Sequence, residues 1–93
     1  MEFSFTGTMI EWRGPAPFYY IAIPEDLCGE IKAAAKLLSY GWGVIPVKST
    51  IGKTTFTTSL FPKDGGYLLP VKTAVRLPEK LELDAQVKVK LYL

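Results

Sequence analysis

TIGKTTF, residues 50–56, contains Gly-Lys-Thr, the end of a phosphate-binding loop, and its reading separates an α/β fold from an all-β one. The complete loop is G-x-x-x-x-G-K-[ST] and joins a buried strand to a helix. Five positions before Gly52 stands Val47, so the first glycine is missing. Downstream, Thr54-Thr55-Phe56-Thr57-Thr58 is a β-branched and aromatic run that suits a pleated strand. The stretch therefore reads as a hairpin, with strands over 44–51 and 54–61 and an exposed Gly52-Lys53 turn that has no nucleotide role. Pro46 has no N–H to give a ladder, which predicts an edge or a bulge in the first strand.

Working outward, residues 3–11 alternate Phe3, Phe5, Gly7, Met9 and Glu11 with Ser4, Thr6, Thr8 and Ile10, the pattern of a half-buried strand. RGPAP at 13–17 reads as a turn, and FYYIAI at 18–23 as a second strand buried over most of its length. PKDGG at 62–66 reads as a turn, YLLP at 67–70 as a short strand and 71–77 as a single helical turn. AQVKVKLYL at 85–93 turns Val87, Val89, Leu91 and Leu93 inward and Lys88, Lys90 and Tyr92 outward.

Only one long segment has helical periodicity. Leu27, Ile31, Ala34, Ala35 and Leu38 make an apolar stripe, Pro24 precedes it, and Glu25 and Asp26 suit the positive end of the helix dipole. A helix over about residues 25–39 follows, ended by Gly41, with Cys28 packed beside the stripe. The sum is a mainly β fold, a small closed or partly open antiparallel β-barrel with one α-helix covering an end or face. At 93 residues the chain has room for a single domain, 1–93.

Composition narrows the chemistry. The sequence has no histidine, which removes the commonest general base and metal ligand. Its one cysteine, Cys28, allows no intrachain disulfide and suits a reducing cytoplasm. No signal peptide and no apolar run of about 18 residues is present, so no membrane partner is expected. Asp64, Glu79, Glu82 and Asp84 lack metal-ligand spacing and read as solvated turn acids. No catalytic residue, cofactor or metal is indicated.

Residues 1–43 carry three basic and five acidic side chains, residues 44–93 eight basic and four acidic. The candidate site lies in the basic half: Lys72 and Arg76, four apart on a helical turn, would share a face and hold an anion. Trp42 between Gly41 and Gly43 offers a flat ring, and Ser59 a hydroxyl. The expected function is a non-enzymatic binding module for an anionic small molecule or peptide at Trp42, Ser59, Lys72 and Arg76. The alternative is a nucleic-acid-binding module that uses the basic C-terminal half. Trp12, Phe18, Tyr19 and Tyr20 read as core packing, since Arg13 alone is interleaved with them.

FYYIAIPEDLCGEIK, GWGVIPVKSTIGKTTFTTSLFPKDGGYLLPVKTAVR and VKVKLYL resemble, in this order, the bacterial domain of unknown function 1905 family. The resemblance implies a β-barrel-like domain of uncharacterised activity. Trp42, Gly43, Thr58, Ser59, Leu60, Tyr67, Pro70, Lys72 and Arg76 fall on the family's pattern. One departure stands before the last strand, where the family has Gly-Asp and this chain has Asp84-Ala85. That predicts a reshaped loop over Leu83–Gln86. A fainter likeness, in LLPVKTAVR leading into VKVKLYL, is to swapped-hairpin DNA-binding modules.

Overall fold

The computed structural model describes residues 2–12, 18–36, 45–63 and 65–93. The elements run β1 (Glu2–Trp12), β2 (Phe18–Ala22), α1 (Glu25–Lys36), β3 (Ile45–Ile51), β4 (Thr54–Lys63), β5 (Gly66–Pro70), α2 (Thr73–Arg76) and β6 (Gln86–Tyr92). The six strands close into an antiparallel barrel in the order β1-β2-β5-β4-β3-β6. Closure removes the unpaired sheet edges that a small open sheet would expose.

Alternation sets what fills the barrel. Phe3, Met9, Ile21, Val47, Ile51, Leu60, Leu69, Val87, Val89 and Leu91 are buried, while their neighbours along each strand turn outward. Ser49 is the buried polar exception, and its hydroxyl donates to the Lys90 carbonyl at 3.1 Å. A buried hydroxyl keeps its place in a core only with such a partner.

The hairpin reading holds. Ile51 pairs with Thr54, and Gly52 takes φ 58 while Lys53 does not share the positive φ, the pattern of a type II′ turn. Both turn residues are exposed. Pro46 sits on a local edge: β3 pairs with β6 only through Lys48, Ser49 and Thr50, leaving its first residues beside β4 alone.

Four expectations need correction. PKDGG is not wholly a turn, because Pro62 pairs with Tyr67 and Lys63 with Gly66, which extends β4 and β5 to a tight connection. The segment FYYIAI is not buried over most of its length: Phe18 is 57% exposed, since outward and inward positions alternate there too. The helical face is led by Cys28, Ile31 and Ala34, so Cys28 lies on the stripe and its thiol points to the Ile23 carbonyl at 3.6 Å. Glu79 is not a free turn acid, as it accepts a hydrogen bond from the Thr54 hydroxyl at 2.7 Å.

Helix α1 begins where the Pro24 carbonyl accepts from the N–H groups of Leu27 and Cys28, and it packs beside β5. Gly41, expected to end it, lies outside the described residues, as do residues 13–17.

Candidate functional site

The outward residues of three neighbouring strands build a groove on the barrel wall. Ile21, Leu60 and Leu69 point into the core, so Tyr20, Phe61 and Pro70 stand on the outer face. The register brings them together, with Tyr20 opposite Pro70 on β5 and Phe61 opposite Leu68. The rings of Tyr20 and Phe61 meet edge-to-face, centroids 6.3 Å apart at 84°. Such pairing favours the positive edge of one ring against the negative face of the other.

The groove encloses about 750 Å³ and is lined by Phe18, Tyr19, Tyr20, Phe61, Ser59 and Lys72 among others. Phe18 and Phe61 remain 57% and 45% exposed. Lys72 follows β5, holds the N-cap position of α2 with φ −75 and ψ 159, and is exposed. Its side chain therefore stands as an exposed cation at the edge of an aromatic surface.

The candidate residues separate here. Ser59 and Lys72 share the groove. Arg76 closes α2 and lies over the Tyr19 ring, with Cζ 4.1 Å from the centroid, and it is not among the described lining residues. Its Nε is buried without a hydrogen-bond partner. Arg76 thus reaches the groove through Tyr19, while Lys72 borders it directly. Trp42 lies outside the described residues. Phe18, Tyr20 and Phe61, which the sequence reading missed as site residues, carry most of the aromatic surface. Their signal was parity: Phe18 and Tyr20 alternate with buried Ile21, and Phe61 follows buried Leu60.

A second hollow, about 600 Å³, lies between α1 and the β4–β5 connection, with Cys28, Lys63, Gly66 and Tyr67 in its wall. Burial raises the Tyr67 pKa above its ordinary 10.0, and the neighbouring Cys28 side chain adds to the shift. Among the described residues no group of three or more His, Cys, Asp or Glu is placed to hold a metal ion. No helix among them is long and apolar enough to cross a membrane.

The sequence matches the domain of unknown function DUF1905 over residues 5–91, nearly the whole barrel. The chain belongs to the DUF1905 family. No curated protein matches it.

Of the positions that the resemblance placed on the family's pattern, Thr58, Ser59, Pro70 and Lys72 line the groove, while Leu60 is buried in the core and Tyr67 borders the second hollow. The departure before the last strand leaves the turn tight. Asp84 adopts φ 66, a left-handed conformation that Asp tolerates better than most side chains. Its N–H donates to Met9, and Met9 in turn donates to Ala85, both at 2.9 Å. The backbone bonds to β1 hold the turn without glycine.

Proposed function

We propose that this DUF1905 chain is a single-domain, non-enzymatic binding module of the cytoplasm, whose groove takes an anionic small molecule or peptide. The observation that carries the reading is the placement of the Lys72 cation on the rim of a groove walled by exposed aromatic rings. Water-facing rings gathered on one surface are a recurring mark of a binding site on a small protein. Phe18, Tyr20 and Phe61 would cover a flat or apolar part of the ligand, Lys72 would hold its carboxylate or phosphate, and the Ser59 hydroxyl would orient it. The absence of histidine from the sequence supports binding over acid–base chemistry.

N-acetyl-phenylalanine and its uncharged amide test this reading, since they differ by one carboxylate and resemble the end of a peptide. In an NMR titration the acid should shift amides of β2, of β4 and around Lys72. Lys72→Ala should weaken the acid about tenfold, roughly the value of one charge-assisted hydrogen bond, and leave the amide unchanged. Shifts centred elsewhere, or equal binding of acid and amide by the native chain, would overturn it.

A further inference from the structure

We propose that a second surface, the outer face of β1, β6 and β3, binds the phosphate backbone of single-stranded nucleic acid. The strand β6 reads QVKVKLY, and its buried Val87, Val89 and Leu91 force Lys88 and Lys90 to the same outer face. Two residues of strand separate the lysines by about 6.8 Å, a spacing comparable to successive phosphates of an extended strand. Across the ladders, Ser4 stands opposite Lys90 and Thr6 opposite Lys88 on β1. On the other side Thr50 is opposite Lys90, and Lys48 is opposite Tyr92. Ser4, Thr6, Thr50, Lys88 and Lys90 together border a shallow hollow of about 400 Å³, which Gly52 of the hairpin turn also borders.

Like charges side by side on a sheet face destabilise it, and a polyanion relieves that repulsion. The carboxylates beside this face stand at its two ends and not between the lysines. Glu79 is engaged by the Thr54 hydroxyl, and Glu2 lies opposite Tyr92 at the end of β1. Exposed Lys53 follows Gly52 at the other end and adds to the positive field.

The geometry favours one strand over a duplex. Strands alone build the face, and β1 and β3 flank β6 at about 4.8 Å each, a strip roughly 10 Å wide that suits a single backbone. Tyr92, on the same side of β6 as the lysines, supplies a ring on which a base can stack. The proposal stands apart from the aromatic groove and does not depend on it.

Fluorescence anisotropy of a labelled oligothymidylate of about twelve nucleotides tests it on the intact chain. With Lys48, Lys88 and Lys90 each neutralising a phosphate, log affinity should fall with log salt at a slope of about −2. That is a loss of about twentyfold between 50 and 200 mM. In a Lys88→Ala, Lys90→Ala double variant the same change should cost only about threefold. Lys32→Ala on α1 and Phe61→Ala in the groove should both keep the native slope. Absence of binding at 50 mM salt, an unchanged slope in the double variant, or a duplex of equal length bound as tightly would each overturn the proposal. So would loss of oligonucleotide binding in Phe61→Ala, which would place the strand in the groove.

Discussion

The Arg76 guanidinium lies over the Tyr19 ring at 4.1 Å, and the Tyr19 carbonyl accepts the Val71 N–H at 2.9 Å. One tyrosine of β2 thus holds the chain just after β5 by its backbone and α2 by its ring. Of the two cations four residues apart, Arg76 is engaged by this ring while Lys72 borders the groove.

We expect Arg76→Ala to destabilise the fold by about 1–2 kcal/mol through lost packing and cation–π attraction. A double-mutant cycle with Tyr19→Leu should give a coupling of about 0.5–2 kcal/mol in urea denaturation. A coupling near zero would mean that the stacked geometry contributes nothing.

Two glycines should respond oppositely to alanine. A Cβ on Gly7 would stand 2.5 Å from Ile21 Cγ2 and 2.6 Å from the Ala22 carbonyl oxygen, and the backbone atom cannot swing aside. Gly7→Ala should cost about 2–3 kcal/mol as overpacking. Gly29, inside α1 with nothing within 4 Å, should gain about 0.5–1 kcal/mol from the same change. Paired thermal or urea melts decide both.

After α2 the chain turns in a Schellman motif: Leu81 N–H donates to the Arg76 carbonyl at 3.0 Å and Lys80 N–H to the Leu77 carbonyl at 3.1 Å. Lys80 holds the left-handed position with φ 52, where side chains other than glycine's are strained. Lys80→Gly should therefore raise stability by about 1 kcal/mol, and a destabilised variant would show that the Lys80 side chain has a role of its own.

The hairpin tip should be sensitive at Thr54 and insensitive at Lys53. Thr54→Val removes the hydroxyl that Glu79 accepts from at 2.7 Å and should cost about 1–2 kcal/mol. Lys53→Ala, at an exposed turn position, should stay within about 0.5 kcal/mol. Equal effects would indicate that Glu79 does not anchor the hairpin.

Tyr67 sets an alkaline limit. Burial, then the neighbouring Cys28 side chain, raises its folded pKa above 10.0. Below pH 10 both states keep the proton and the contribution is constant. Above it the unfolded chain ionises first, so stability falls as pH rises toward the folded pKa. Denaturation midpoints measured from pH 8 to 11 should fall less in Tyr67→Phe than in the native chain.

The strands, the hairpin turn and the main helix were legible in the sequence because each rests on local physics. The alternation of QVKVKLY, the β-branched run after Gly52 and the stripe from Leu27 to Leu38 constrain the backbone by side-chain period alone. Ser59 and Lys72, singled out by type as a hydroxyl and a cation, line the groove that we propose as the site. The aromatic groove was not. Phe18 and Tyr20 read as core because aromatic residues usually are, and which face a strand buries depends on its neighbours. Only the closed barrel, with β5 between β2 and β4, sets Tyr20 against Phe61 from distant parts of the chain and leaves the Phe61 ring exposed and Tyr20 half-buried. The same closure sends Arg76 to Tyr19 and leaves Lys72 free at the groove. The sequence by itself determined which residues form strands and which of their faces is apolar. Strand order, a matter of long-range pairing that local periodicity does not encode, was decided by the tertiary structure alone.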